Sequence, residues 1–153
     1  MVILEDETMI YTLMTMKAMK LAYEAHQGQY DKCGIPYIFH PYHLAEQMRD
    51  EITCTVALLH DVVEDTAVTM EKLEQEFPKD VTDALRLLTH TDDVEYYDYV
   101  RAIKNNPIAK AVKHADIMHN SDHTRLIGCD ISEEKAKYWE SKYKKALDVL
   151  MEE

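Results

Sequence analysis

The sequence predicts an all-α fold, and three observations support this. Only 3 glycines and 4 prolines occur in 153 residues, which favours long regular elements with short connections. The chain is rich in strong helix formers such as Ala, Leu, Glu and Lys, and it contains 9 Met. Apolar residues recur at intervals of three and four positions, and no segment alternates apolar and polar residues as a strand would. We expect a bundle of about eight helices in a single domain over residues 1–153, because this is the length of one typical domain.

The first half of the chain predicts four helices separated by short loops. Gly28 and Gly34 bracket the first loop, which continues into an extended segment, Pro36–Phe39. Pro41 suits the first turn of the second helix, and Thr69 is expected to cap the fourth. The expected helices cover residues 8–25, 41–49, 51–64 and 70–77.

The second half predicts four more helices. Pro78 opens the fifth, Asn106 followed by Pro107 marks the start of the seventh, and Ser132 precedes the last, whose first turn is acidic. The expected ranges are 78 to beyond 88, 94–104, 107–122 and 132–152. The apolar stripe of the last helix is expected to face the core, and it consists of Ala136, Trp139, Tyr143, Ala146, Leu147 and Leu150.

Composition excludes several classes of partner. The 17 basic and 29 acidic residues give a net charge of −12, which disfavours binding to nucleic acid or to an anionic membrane. The 3 cysteines are odd in number and widely spaced, so the sequence predicts neither a disulfide framework nor a thiolate zinc site. The N-terminus lacks the features of a signal peptide, and the longest purely apolar run, Val56–Leu59, is far too short for a membrane span. We expect a cytoplasmic protein, and the sequence leaves its oligomeric state open.

The most informative segment is the sequence HDVVED at positions 60–65. On a regular helix, His60, Asp61, Glu64 and Asp65 share one face, opposite a face of apolar residues. If other helices cover that polar face, several carboxylates are desolvated together, which requires a compensating cation. Histidine and carboxylate ligands suit Mn, Fe, Co or Zn. The alternative is a solvated, charged helix end.

Two other places favour the metal interpretation. His40 lies between an aromatic segment and Pro41, and Asp116 and Asn120 are one turn apart on the seventh helix. Either feature alone is more often structural than functional. Together with His60 and Asp61, however, they supply two imidazoles and two carboxylates, a complete ligand set for one metal ion.

Four ordered blocks of sequence carry a family resemblance. They are AHQGQ at 25–29, GIPYIFHP at 34–41, ALLHDVVEDT at 57–66 and VKHADIMHN at 112–120. The blocks resemble the HD-domain metal-dependent phosphohydrolases, and most closely the hydrolase domain of RelA/SpoT-type alarmone enzymes and their stand-alone small hydrolases. The resemblance places the motif-bearing core at residues 25–125 and implies an HD fold, one divalent metal ion, typically Mn²⁺, and removal of pyrophosphate from the 3′ position of (p)ppGpp.

The resemblance also implies roles for individual residues. The metal ligands would be His40, His60, Asp61 and Asp116, while Glu64 and Asp65 match the acidic pair that positions and activates the attacking water. Asn120 matches a residue that lies against the sugar and phosphate of the nucleotide. Lys32 and Lys113 could meet phosphates, and Tyr30 could offer an aromatic face to the base.

One position departs from the family pattern and leaves the substrate open. Asp31 stands where members that hydrolyse (p)ppGpp usually carry an arginine that stacks on guanine. The alternatives are an HD phosphatase for another nucleotide, such as an adenine analogue or a nucleotide 2′- or 3′-phosphate, or a catalytically idle HD module that binds a nucleotide. The idle module is disfavoured because all six predicted ligand and acidic residues are present.

Overall fold

A computed structural model describes residues 8–153, so residues 1–7 of the predicted domain lie outside the described part. It contains nine α-helices: α1 Leu13–Ala25, α2 Phe39–Glu46, α3 Glu51–Leu59, α4 Val62–Asp65, α5 Met70–Glu76, α6 Lys79–Leu88, α7 Tyr96–Ile103, α8 Pro107–Asn120 and α9 Glu133–Met151. A 3₁₀ turn, His123–Leu126, follows α8. Between residues 8 and 153 the only β pairing is one isolated bridge, Tyr30 with Pro36. The predicted all-α class is therefore confirmed.

Local side-chain caps explain where most helices begin. Thr69, Asn106 and Ser132 accept hydrogen bonds from the backbone of the first turn, as the sequence predicts. The predicted start of the first helix at Thr8 is wrong. The helix begins at Leu13, because the Thr12 side chain accepts a hydrogen bond from the Thr15 amide at 3.2 Å and closes a capping box there.

The predicted continuous helix over residues 51–64 is divided in two. α3 ends at Leu59, and Asp61 takes up φ −104° and ψ 0°, between helical and extended values, before α4 begins at Val62. Adjacent residues on a regular helix point about 100° apart and do not face each other. The break removes that limit, so that His60 and Asp61 can turn toward the same point.

The core is built around α3, which contacts α1, α2, α6 and α8. Its residues from Thr53 to Leu59 are all buried, since a helix surrounded on every side must be largely apolar all round. α9 closes one end of the bundle by packing against α7 and α8. Across the described residues, no helix has both the length and the hydropathy that crossing a bilayer would demand.

Two of the three cysteines are paired, which corrects the sequence prediction. Cys33 and Cys129 form a disulfide, with their Cα atoms 5.2 Å apart and a sequence separation of 96. The bond ties the loop between α1 and α2 to the segment after the 3₁₀ turn. Such a distant pairing leaves no local signature in the sequence, because it depends on how the two loops are brought together. Cys54 is free and buried.

Candidate metal centre and active-site cleft

The four predicted metal ligands converge on one point. His40 comes from α2, His60 and Asp61 from the break between α3 and α4, and Asp116 from α8. His40 Nε2 lies 2.9 Å from Asp116 Oδ1 and 3.9 Å from Asp61 Oδ2. His60 Nε2 lies 2.9 Å from Asp61 Oδ2 and 3.7 Å from Asp116 Oδ1. His40, His60 and Asp116 are buried, so this cluster is enclosed by protein.

The state of His60 tests whether a metal ion fits this cluster. Its Nδ1 lies 2.7 Å from the Ala57 carbonyl oxygen and donates to it. Its Nε2 is buried without a hydrogen-bond partner, although it faces two carboxylates. Burial works to lower the pKa of His60, but Asp61 and Asp116 raise it well above its usual range. The two carboxylates therefore favour a positive charge at Nε2, and a divalent cation between these groups would supply it.

His119 sets the orientation of the other histidine. Its Nδ1 lies 2.7 Å from His40 Nδ1, and the two rings are stacked at 5.0 Å between centroids. Burial and the nearby Arg125 lower the pKa of His119 to about 3, so this ring is neutral and can accept a hydrogen bond from the Nδ1–H of His40. When the proton of His40 is on Nδ1, its Nε2 carries a lone pair, the form in which imidazole binds a metal.

Lys113 is paired with a carboxylate of the cluster. Its Nζ lies 2.9 Å from Asp116 Oδ2, and the side chains of both residues are only 10% exposed. Burial works to raise the pKa of Asp116, but Lys113, His40 and His60 hold it well below the usual range. The sequence predicts Lys113 as a phosphate contact. The structure places it in the cleft wall, with its charge already balanced by Asp116.

The predicted acidic pair lies beside the cluster and stays open to solvent. Carboxylate oxygens of Asp61, Glu64 and Asp65 approach within 4.8 Å of one another. Glu64 Oε1 accepts a hydrogen bond from the His90 amide at 2.7 Å. Desolvation in the cleft and the charge on Asp61 raise the pKa of Glu64 and of Asp65. A carboxylate with a raised pKa is a stronger base, which suits it to accept a proton from water.

Two adjoining cavities open beside these residues. The metal-side cavity, of about 320 Å³, is bordered by His60, Asp61, Glu64, Asp65 and Asp116. The outer cavity, of about 340 Å³, is bordered by the predicted substrate contacts Tyr30 and Lys32. The two cavities share three wall residues, Tyr37, Asn120 and Tyr143. Together they form a cleft of the size that binds small molecules, with the ionisable groups at one end.

The predicted substrate contacts differ in how they are held. Asn120 Nδ2 donates to Asp116 Oδ1 at 3.0 Å, so this side chain links the cluster to both cavities. Lys32 Nζ lies 3.4 Å from the centre of the Trp139 ring, on the wall of the outer cavity. Tyr30 is 64% exposed and stands at the rim. The structure thus brings all three side chains to the cleft. Of the three, Asn120 contacts the metal cluster.

Asp31, where the sequence departs from the family, is occupied by its own loop. Its Oδ1 accepts hydrogen bonds from the amides of Cys33 at 2.8 Å and Ile35 at 3.0 Å. Its Oδ2 lies 3.6 Å from a guanidinium nitrogen of Arg125, and both residues border the outer cavity. Asp31 therefore shapes the loop and positions a cation that comes from the 3₁₀ turn after α8.

Sequence reasoning missed the residues that α9 and Tyr37 contribute. Trp139 and Tyr143 border the outer cavity, although Tyr143 also packs against the core and the buried Ala146 and Leu150 of the same stripe face it. An aromatic stripe gives the same helical spacing in either case, so the pattern carried no signal that could separate them. Tyr37 donates its hydroxyl hydrogen to Asp61 Oδ2, and burial raises its pKa, which keeps it protonated as a donor.

Comparison with known proteins agrees with this geometry. A GTP pyrophosphokinase from Streptomyces coelicolor is 33% identical over 140 residues, which are 80% of this chain and 16% of that protein. The bifunctional (p)ppGpp synthase/hydrolase SpoT of Escherichia coli K12 is 38% identical over 94 residues, 59% of this chain and 13% of that protein. A guanosine-3′,5′-bis(diphosphate) 3′-pyrophosphohydrolase of Borreliella burgdorferi is 34% identical over 121 residues, 68% of this chain and 18% of that protein. This chain thus spans less than a fifth of the length of these relatives.

A solved structure matches at nearly full length. It is described as a metazoan ortholog of SpoT that hydrolyses ppGpp, and it is 26% identical, with a TM-score of 0.78 over 94% of this chain and 89% of the other. The family model of the HD domain matches residues 18–119, which include every predicted metal ligand and most of the cleft. This chain belongs to the HD-domain family.

Proposed function

We propose that this protein is a metal-dependent phosphohydrolase that removes pyrophosphate from the 3′ position of a (p)ppGpp-type nucleotide. HD domains are metal-dependent, and the His and Asp cluster is able to hold a divalent ion. Relatives named as (p)ppGpp hydrolases, and a structural neighbour described as hydrolysing ppGpp, support this reaction. We propose Mn²⁺ as the metal: the ligand set suits Mn, Fe, Co or Zn, and the family resemblance favours Mn²⁺ among them.

The observation that carries the proposal is the unpartnered Nε2 of His60 beside a pair of basic carboxylates. The proposed ligands are His40, His60, Asp61 and Asp116, whose facing atoms lie within 3.9 Å in each measured pair. The proposed general bases are Glu64 and Asp65, next to the ligands and open to water. A binding module would not need this base beside the cation site, whereas a hydrolase does.

The chain's own residues define the proposed reaction. Glu64 or Asp65 takes a proton from the attacking water, whose oxygen bonds to the phosphorus as the bond between phosphorus and the 3′ oxygen breaks. The proton then passes from the carboxyl group to the 3′ oxygen, and the products are a nucleotide with a 3′ hydroxyl and pyrophosphate. Tyr37 holds Asp61 in place, and Asn120 is placed to contact the sugar and phosphate. When bound, a divalent ion supplies Lewis acidity that neutralises charge on the phosphoryl group and lowers the pKa of water.

A second candidate substrate is a nucleotide with another base. Asp31 is held by the Cys33 and Ile35 amides, so residue 31 offers no cation to a guanine. Tyr30, Lys32, Trp139 and Arg125 instead border the outer cavity, and these groups can pack against any purine. The metal-side chemistry is the same in both cases, so the two candidates differ only in the base that is bound.

We also propose that one domain carries the whole site. α9 lies outside the match to the family model, yet it packs against α7 and α8 and borders both cavities. A small nucleotide fits this cleft, whereas the net charge of −12 repels a nucleic-acid backbone or an anionic membrane.

The test is pyrophosphate and phosphate release from a panel of guanine and adenine nucleotides, including ppGpp and nucleotide 3′-phosphates. We expect pyrophosphate from ppGpp in Mn²⁺, and none in excess chelator. His60→Ala and Asp61→Ala should abolish both turnover and stoichiometric metal in elemental analysis, while His114→Ala, on an exposed position of α8, should leave both unchanged. Stoichiometric metal in the two ligand variants, or turnover in chelator, would contradict the proposed site.

A further inference from the structure

Lys142 is a cation in the wall of the metal-side cavity. It lies outside the sequence motifs. It lies on α9 and borders the same cavity as Glu64, Asp65 and Asp116, which come from α4 and α8. Its Nζ lies over two aromatic rings of the cavity wall. The ring centres of Tyr96 and Tyr143 lie 4.5 Å and 5.7 Å away.

The two lysines in the wall of this cavity differ in whether they form an ion pair with a described carboxylate. Lys113, the other lysine in the wall, is committed to Asp116 at 2.9 Å. Lys142 makes no ion pair with any described residue, although the protein carries an excess of acidic groups. Burial and the positive charge of Lys113 lower the pKa of Lys142, so the cation is held at an energetic cost. An anion that enters the cavity would remove this cost.

We propose that Lys142 binds the phosphate groups that leave as pyrophosphate, and so favours a diphosphate over a monophosphate at the scissile position. This inference rests on the proposed function, because it takes the metal-side cavity as the place where the phosphoryl group is cleaved. The metal cluster and the acidic pair account for the phosphorus that is attacked. A second phosphate needs a further cation, and Lys142 is the lysine of this wall whose charge no described carboxylate balances.

The segment that precedes α7 offers no lysine or arginine that could serve in place of Lys142. The segment Thr89–Asp93, which precedes α7, is acidic at Asp92 and Asp93 and offers no basic side chain other than His90. His90 is itself engaged, with its Nε2 at 2.7 Å from the Val94 carbonyl oxygen. Lys142, on α9, supplies to this cavity the positive charge that the segment does not.

The experiment measures binding of inorganic pyrophosphate and of orthophosphate by calorimetry, with Mn²⁺ present and again with chelator. Lys142→Met should raise the dissociation constant for pyrophosphate about 10- to 100-fold, the range expected for one charge-assisted hydrogen bond, and should change orthophosphate binding far less. Lys142→Arg should restore most of the affinity. Lys144→Met, which removes the same charge from an exposed position of α9, should bind both anions as the parent protein does.

Kinetics and melting provide the remaining readouts. On the proposed substrate, Lys142→Met should weaken inhibition by the pyrophosphate product and raise KM, while a merely structural lysine would lower the melting temperature and leave this inhibition unchanged. Parent-like pyrophosphate binding in Lys142→Met, or an equal loss in Lys144→Met, would overturn the assignment. Failure of the parent protein to cleave any nucleotide, with the pyrophosphate effect of Lys142→Met intact, would instead overturn the proposed function and leave the anion site standing.

Discussion

Removing the Lys113 charge is the sharpest test of how the metal cluster is stabilised. Lys113 Nζ and Asp116 Oδ2 are 2.9 Å apart, and both side chains are 10% exposed. Breaking a buried ion pair by deleting one partner typically costs about 3–5 kcal/mol, because the other charge is left uncompensated. Asp116 also contacts His40 and Asn120, so we expect the lower end of that range for Lys113→Met.

The expected loss can be expressed as a melting temperature. For a chain of this size, 1 kcal/mol corresponds to about 2–4 °C. Lys113→Met should therefore melt roughly 6–12 °C below the parent protein when both are measured by circular dichroism in chelator. Because a divalent cation bound by Asp116 supplies the missing positive charge, Mn²⁺ should reduce the difference between the two proteins.

Lys110→Met is the matched control for this experiment. It removes the same charge from the same helix, at a position where the side chain forms no ion pair with a described residue. We expect a change within about 0.5 kcal/mol. If Lys113→Met melts within about 2 °C of the parent, or if Mn²⁺ leaves its deficit unchanged, Lys113 is not the counterion of the cluster.

Three further predictions follow from individual contacts. Glu64→Gln should retain metal and nucleotide but lose about 10²–10⁴-fold in kcat. Since desolvation raises the pKa of Glu64, the activity of the parent protein should begin to fall, as the pH is lowered, at a higher pH than an ordinary glutamate would give. A pH–rate profile measures this. Asp31→Arg should lower the melting temperature and leave kcat/KM for ppGpp no better, because it removes two hydrogen bonds from backbone amides and brings a second cation up to Arg125. Asp31→Asn keeps an acceptor oxygen and should lower the melting temperature less. A clear gain in guanine preference for Asp31→Arg would contradict this. With Cys33 and Cys129 paired, thiol titration of the unfolded, unreduced protein should count one reactive thiol and, after reduction, three; three before reduction would exclude the disulfide.

The sequence by itself determined the helical fold and most helix boundaries. Periodic apolar spacing and caps such as Thr69, Asn106 and Ser132 act over three or four residues, so the information lies within each segment. The ordered motif blocks likewise identified the four candidate ligands and the acidic pair through their resemblance to the HD-domain family, and His and Asp side chains are residue types that can bind a metal ion. The structure brings these side chains close together, and their role as metal ligands stays a prediction.

The tertiary structure decided everything that depends on contacts between distant segments. It divided the predicted helix at His60 and Asp61, and it paired Cys33 with Cys129. It gave α9 a face on both cavities and left Lys142 without a carboxylate while Lys113 received one. Helical spacing fixes which side chains share a face, but not which face meets the core and which meets a cleft. That choice is made by packing and desolvation across the whole chain, so only the folded protein shows it.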